Sequence, residues 1–194
     1  MAEVKVIVLP TLEVEGTPFR VLDYTLDEAI SRQSMLVCEA TEVDIEPLDP
    51  ALVIGKDAVF KLTRNDGSGE REFLGRVVRA ERAPTEDDVR TLRLSIAPAP
   101  WALSKRSDCR TFQDKSVVDI VTEVLEGAGV TADQQDWRTT ESHAPLKYTV
   151  QYRETDFAFI ERLLSEEGIY FAVHFVTGKA VMIFGDDPAG LGGV

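Results

Sequence analysis

The 194-residue chain carries 34 acidic and 21 basic residues, which gives a formal net charge of −13 at pH 7. A surface of that sign repels phosphate backbones and anionic lipids, so nucleic acid and membrane surfaces are not expected as direct partners. Hydrophobic residues make up 44% and charged residues 28% of the chain, ordinary values that exclude a disordered polypeptide and allow a core without metal or disulfide staples.

The amino terminus, "MAEVKVIVLPTLEVEG", lacks the basic segment and the long apolar segment of a secretory signal peptide. No apolar run approaches the roughly 20 residues that a membrane-spanning helix needs. We therefore expect a chain made in the cytoplasm, without a membrane-spanning segment. Later export would use a route that needs no signal peptide.

Residues 1–100 are predicted to form an all-β domain, a barrel or curled sheet of about six strands. The runs "VKVIVLP", "FRVLDYTLDEAIS" and "MLVCEATEVDI" are rich in strand-forming residues, with Phe19, Val21, Tyr24 and Leu26 as candidate inward positions. In "DAVFKLTRNDGSGEREFLGRVVRAERA", two alternating runs flank "NDGSGE", which predicts a hairpin. "DVRTLRLSIAPAP" is the last strand, and its prolines end the sheet.

The hydrophobic period changes after Trp101 and predicts a first helix. Ser116 is a candidate N-cap, with Asp119 three residues later. The glycines at 127 and 129 end the helix, and its apolar stripe has helical spacing: Val117, Ile120, Val121, Val124 and Leu125. Residues 130–146 are predicted to be an ordered loop.

A strand, a second helix and a hairpin are predicted to follow. "LKYTVQYRE" places Tyr148, Val150 and Tyr152 on one strand face. Thr155 or Asp156 caps a helix that Gly168 closes, with the apolar stripe Phe157, Ile160, Leu163 and Leu164. "IYFAVHFVTGKAVMIFGDD" predicts a hairpin that turns at "TG".

The sequence contains no recognisable catalytic constellation. His143 lies in the polar loop "TTESHAPL", where we expect a solvated side chain, and His174 alternates with apolar strand residues and is interpreted as a structural histidine. Acidic neighbours such as Glu166–Glu167, Glu86–Asp88 and Asp186–Asp187 are expected on solvated faces or turns, because adjacent side chains point apart. We therefore predict no catalytic, cofactor-binding or metal-binding residues.

The two cysteines, Cys38 and Cys109, have no metal-ligand spacing and are expected to be buried free thiols. Cys109 lies in "RSDCR", where Arg106 and Arg110 would lower the pKa of a reactive thiol. No histidine partner follows in that segment. The favoured interpretation is therefore a thiol packed under the first helix, with an arginine–aspartate pair through Asp108 that orders the loop.

Two long runs carry a resemblance to a known family. "APWALSKRSDCRTFQDKSVVDIVTEVLEGAG" and "YTVQYRETDFAFIERLLSEEGIYFAVHF" closely resemble, in the same order, the amino-terminal region of VgrG proteins. These are the spike proteins of bacterial type VI secretion systems, related to the tail hubs of contractile phages. The resemblance covers roughly residues 5–185.

The resemblance implies a mainly β protein with helices (α+β), in which tail-hub-like β-barrel domains carry two short helices. It assigns residues 1–100 to a first barrel-like hub domain and residues 101–194 to a helix-containing segment and the start of a second such domain. Three chains would form a ring that caps the Hcp tube and contacts baseplate proteins. Sheath contraction would drive this ring outward, exporting it through the type VI apparatus.

The family's OB-fold and β-helix needle have no counterpart in these residues, so the second hub domain is expected to be truncated. Effector, adaptor and PAAR tip would bind through those further regions. The helices would serve packing and docking, and no enzyme activity is implied. Three other functions remain open: a tail hub of a contractile phage or phage-derived injection particle, a hydrolase effector fragment, and a carbohydrate- or peptide-binding β module.

Overall fold

The computed structural model describes residues 7–43, 48–83, 91–176 and 178–191. The chain divides into two compact units, each assembled from several segments. The first unit consists of Met1–Asp27, Met35–Pro98 and Phe175–Lys179. The second consists of Glu28–Ser34, Ala99–His174 and Ala180–Val194.

The first unit is a closed six-stranded antiparallel barrel. Its strands follow one another around the barrel in the order β1-β2-β3-β6-β5-β4, and β1 closes it by pairing with β4 along its whole length. The expectation of a barrel with about six strands is confirmed. The strands are β1 Val8–Val14, β2 Thr17–Asp27, β3 Met35–Glu42, β4 Asp57–Arg64, β5 Glu70–Arg82 and β6 Thr91–Ala97.

Alternate side chains of the six strands fill the barrel, as the period of a half-buried strand requires. Phe60 and Phe73 are the largest fully buried members of this core. All four inward positions predicted on β2 belong to this core. Phe19 is buried, and Val21, Tyr24 and Leu26 are partly buried and pack against the core. A bulge between Val21 and Asp23 shifts the register of β2 against β3.

The hairpin predicted around "NDGSGE" joins β4 to β5, with Gly67 in the left-handed region at φ +71°. Another glycine, Gly75 in β5, serves close packing. A Cβ there would lie 2.5 Å from the carbonyl oxygen of Ala97, well inside van der Waals contact. The barrel therefore needs glycine at this position because two backbones approach each other.

The second unit contains two small sheets and two helices. The strands β7 Ser107–Phe112 and β9 Thr149–Thr155 form an antiparallel pair. The other sheet has the order β10-β11-β8, built from β8 Gln135–Arg138, β10 Tyr170–Val176 and β11 Lys179–Gly185. The predicted hairpin at 169–187 is confirmed, with Gly178 at φ +74° in its turn. Residues 135–138, expected in a loop, form a strand parallel to β11.

The first helix, α1, spans Val117–Gly127 and has the predicted apolar stripe as its buried face. The Ser116 side chain accepts from the backbone N–H of Asp119, whose carboxylate accepts in return from the Ser116 N–H. This capping box satisfies two backbone donors that would otherwise lack partners. Each of the five buried stripe residues stabilises the unit by about 1.5–3 kcal/mol through removal from water.

The second helix, α2, spans Asp156–Glu166, with Thr155 as its N-cap and Gly168 at φ +69° beyond its end. All four residues of the predicted stripe face the core: Ile160, Leu163 and Leu164 are buried, and Phe157 packs against the core partly buried. The prediction missed Phe159, which is fully buried and widens the buried face of the helix beside Ile160.

Among the described residues, no helix is long and apolar enough to cross a bilayer.

Candidate functional site

The pair of β7 and β9 has one buried and one exposed face. On the buried face, the ring of Phe112 stacks on that of Phe159 in α2, with centroids 5.7 Å apart. Gln151 and Thr149 point to the same side and are buried. Packing on α2 therefore fixes which face of β9 meets the solvent.

The opposite side, here called the β7–β9 outer face, presents apolar side chains to solvent. Tyr148, Val150 and Tyr152 share it, as predicted, and are 60%, 38% and 65% exposed. In the strand register Cys109 lies across from Tyr152, and Thr111 lies across from Val150. Exposed aromatic strips of this kind mark protein–protein contact sites.

A β-bulge shapes one end of the outer face. The pairing of β7 with β9 skips Arg153, which adopts φ +52°, a conformation that costs a side-chain-bearing residue roughly 1–2 kcal/mol. Its guanidinium carbon lies 5.3 Å from the centroid of the Tyr152 ring. This cation–π contact holds the largely exposed ring of Tyr152 in place.

A buried ionic cluster lies between β7, β9 and the start of α2. Asp156, 1% exposed, accepts hydrogen bonds from Arg110 and from the Gln151 amide, the latter at 2.9 Å. Its second carboxylate oxygen lies 3.4 Å from Nε of Arg106. The backbone N–H of Asp156 donates to the Arg106 carbonyl at 2.8 Å. The cluster thus joins "RSDCR" to the "YRETDF" segment, the two motifs that carry the family resemblance.

The expectation for Cys109 was wrong, because its side chain is exposed on the outer face instead of packed beneath α1. An arginine–aspartate pair through Asp108 is present, with Nε of Arg110 3.5 Å from the Asp108 carboxylate. The buried partner of both Arg106 and Arg110 is Asp156. Cys38 is buried in the barrel as expected, and burial raises the pKa of its thiol to about 12.

The expectation of a solvated His143 was also wrong. Its side chain is 7% exposed and lies between the carboxylates of Glu167 and Asp186. His174 is partly buried in β10. Among the other acidic residues considered in the sequence, Glu166 is exposed and pairs with Arg162 at 3.6 Å. Glu86–Asp88 lie outside the described residues.

The first unit carries a second exposed apolar feature, the loop of residues 50–56 between β3 and β4. Leu52 and Ile54 are exposed on either side of the buried Val53. The Gly55 N–H donates to the carbonyl of Val77 at 2.7 Å, which anchors the loop to β5. Two apolar side chains are therefore held in water by a fixed backbone.

In the part of the chain that the structure describes, no group of three or more histidine, cysteine or acidic side chains is arranged to hold a metal ion. The described surface is thus distinguished by exposed apolar features. The sequence pattern had placed Tyr148, Val150 and Tyr152 on one face, but a single strand pattern does not reveal which face a neighbouring helix covers.

Residues 27–193 match the profile of the phage tail baseplate hub family. The chain belongs to this family. The curated hub relatives include two type VI secretion system spike proteins of Pseudomonas aeruginosa. VgrG1b is 34% identical over 140 residues and VgrG1a is 33% identical over 151 residues, alignments that cover 72% and 78% of this chain. The chain spans about a fifth of the length of each: 18% and 22%.

The hub fold is also found in a solved structure from E. coli, the c3393 protein. That protein is described as a type VI secretion system component with structural similarity to the T4 bacteriophage tail proteins gp27 and gp5. The match covers 92% of this hub chain and 49% of the other chain, with a TM-score of 0.82 and 22% identity. The resemblance of the chain to VgrG proteins is therefore confirmed.

Proposed function

We propose that this chain is the structural hub portion of a type VI secretion spike, which caps the Hcp tube as a homotrimer. The observation that carries the proposal is the 34% identity to a spike protein over 72% of the chain. The hub fold supports it independently through the solved E. coli secretion component. The proposed role is mechanical, because a hub transmits the thrust of the contracting sheath from the tube to the spike.

In this proposal, residues 1–100 are the first barrel-like hub domain. Residues 101–194 supply the helices and begin a second barrel-like domain, which in longer hub proteins continues into further sequence. The closed barrel suits a ring wall, since all six strands are paired around it and it does not depend on a neighbouring chain for closure. Baseplate proteins would contact the same ring.

The β7–β9 outer face is the proposed contact with a neighbouring chain. Tyr148 and Tyr152 provide the two large aromatic surfaces on this face. Tyrosine suits such a contact because its ring is apolar while its hydroxyl remains hydrated before assembly.

The proposal assigns no catalytic, cofactor or metal chemistry to these residues. The chain would be made in the cytoplasm and exported through the type VI apparatus without a signal peptide. Effector, adaptor and PAAR tip would associate through the regions by which the longer relatives exceed this chain.

The test is Hcp release by the cells that make this chain, compared with the same cells lacking it, together with the oligomeric mass of the purified protein with any continuing sequence. A Tyr148→Ser/Tyr152→Ser variant is expected to lose trimer and Hcp release while retaining folded spectra. The matched control, Tyr148→Phe/Tyr152→Phe, retains the rings and is expected to keep both. Normal Hcp release in cells that lack the chain would overturn the proposal.

A tail hub of a contractile phage or phage-derived injection particle is the second candidate, favoured by the match to the phage hub profile. Particle purification separates the two functions. A spike hub is recovered with Hcp, whereas a phage hub is recovered in tail particles and leaves Hcp release unchanged when removed.

A further inference from the structure

His143 is held between two carboxylates that come from different elements of the second unit. Its Nδ1 lies 2.8 Å from Oε2 of Glu167, at the carboxyl end of α2, and its Nε2 lies 3.4 Å from Oδ2 of Asp186, directly after β11. The imidazole and the Asp186 carboxylate are 7% and 6% exposed. Only the Nδ1 contact has hydrogen-bond geometry, and the buried Nε2 has no hydrogen-bond partner among the described residues, so its pairing with Asp186 is ionic. A neutral imidazole carries a proton on one nitrogen only, whereas the protonated ring carries one on both and has the positive charge that this pairing needs.

Asp186 also holds the backbone that leads to His143. Its carboxylate accepts from the N–H of Thr140 at 2.8 Å, from the Thr140 hydroxyl at 2.9 Å and from the N–H of Glu141 at 2.9 Å. These donors lower the pKa of Asp186 to about 2. The carboxylate therefore remains ionised, and available to the imidazole, from mildly acidic to alkaline pH.

The position of Glu167 favours a positive ring for a second reason. Glu167 is the C-cap of α2, where carbonyl groups without helical partners give the helix end a partial negative charge. A cation at a helix carboxyl end is stabilised by that field. The Leu146 N–H donates to the Lys115 carbonyl at 2.9 Å and fixes the far end of the same segment.

We propose that protonated His143 is a pH-dependent clasp, which tightens the hold on residues 139–146 between the carboxyl end of α2 and the end of β11. When the ring loses its proton, the segment keeps only the weaker hold of the Asp186 and Leu146 hydrogen bonds. The segment runs directly into Lys147 and Tyr148. The clasp therefore couples the charge of one imidazole to the order of the chain that presents Tyr148 on the outer face.

The direction of the pH dependence follows from the groups that face the ring. The hydrogen bond with Glu167 is the largest influence, and it raises the pKa of His143 with help from Asp186, against the effect of burial. A pKa that folding raises gives stability that is fully present below the ordinary value of about 6.5. That stability is lost as the pH rises through the pKa that His143 has in the folded protein, so the clasp loosens on the alkaline side.

The first measurement uses the unmodified protein, because the chain has only two histidines. Proton NMR of the two imidazole signals between pH 5 and pH 10 is expected to show one pKa above about 6.5. A His174→Gln variant assigns that signal to His143 by removing the other one. A His143 pKa at or below the ordinary value would overturn the proposal without any need for a folded His143 variant.

The second measurement compares amide hydrogen exchange of residues 139–146 in the unmodified protein and in His143→Gln at the same pH. The ratio of the two rates cancels the intrinsic pH dependence of exchange. The segment is expected to exchange more slowly in the unmodified protein at pH 6, by about tenfold for each unit by which folding raises the pKa. The exchange rates of the two proteins should converge above the pKa of His143 in the folded protein. A ratio of these rates that stays constant from pH 6 to pH 10 would refute the clasp.

Discussion

Replacing Asp156 by alanine tests whether the buried ionic cluster stabilises the second unit. The change removes the acceptor of Arg110 and Gln151 and the carboxylate near Arg106. Breaking a buried pair by deleting one partner costs about 3–5 kcal/mol. Arg110 and Arg106 are 23% and 43% exposed, so water stabilises the abandoned charges and places the expected loss near the lower limit, at about 3 kcal/mol.

Urea unfolding followed by tryptophan fluorescence measures this loss selectively. Both tryptophans of the chain, Trp101 and Trp137, lie within Ala99–His174 of the second unit. The ring of Trp137 stacks on Phe184 with centroids 4.1 Å apart, so its emission should change when this core opens. The fluorescence transition therefore reports the second unit without assuming that both units unfold together.

Glu154→Ala is the matched control, because Glu154 lies two residues away and pairs with Arg162 at 2.7 Å on a more exposed surface. Its expected cost is only about 0.2–1 kcal/mol. Asp156→Asn retains the side-chain shape and separates the loss of charge from the loss of volume. Equal losses for Asp156→Ala and Glu154→Ala would show that the buried cluster contributes no more than a surface ion pair, and would refute the reasoning.

Three further changes test other parts of the structure. Gly75→Ala is expected to destabilise the barrel by about 2–3 kcal/mol, because the added Cβ would clash with the carbonyl oxygen of Ala97. Urea unfolding followed by circular dichroism measures this loss. The control is Gly69→Ala, whose added Cβ would lie 3.9 Å from its nearest neighbour and should leave the stability nearly unchanged. Ser116→Ala should cost about 1 kcal/mol in tryptophan-detected unfolding, because it breaks the capping box. Asp186→Asn should be less stable than the unmodified protein above pH 4, and the difference should shrink as the pH falls through about 2, because a lowered pKa confers stability that is lost as the folded carboxylate takes up its proton. A difference that stays constant in acid titrations would contradict this.

Local patterns predicted those elements whose order depends on neighbours in sequence. The cap at Ser116 and the stripe from Val117 to Leu125 specify α1 without reference to the rest of the molecule. The hairpin of β4 and β5 is likewise encoded by alternation and a turn. In each case the residues that signal the element, a cap, a stripe or a turn, are close together in the sequence, so one sequence suffices to reveal them.

Long-range pairing was not readable in the same way. The closing contact of β1 with β4 joins Val8 to Arg64, and the parallel contact of β8 with β11 joins Gln135 to Met182. β8 has only four residues, too few to establish an alternating pattern. The strand forms only because it pairs with β11, whose Met182 is 47 positions after Gln135.

The polar positions were the least predictable. His143 lies in a run of polar residues that is typical of a solvated loop, yet two carboxylates from distant segments enclose it. Cys109 lies three residues before the buried Phe112, and alternation along β7 places the two side chains on opposite faces. Both errors have the same physical cause, because side-chain environment is decided by elements that meet only after folding.

The closed β-sheet of the first unit has a consequence for polymerisation. Each of its six strands has a hydrogen-bonded neighbour on both sides, and β1 pairs with β4 along its whole length, so the closed ladder leaves little edge on which another chain could extend it. Copies of such a unit can join only through side chains and loops, whose geometry fixes an angle between neighbours. An angle that closes after a whole number of copies gives a ring that stops growing, whereas an angle that does not close gives a helical filament.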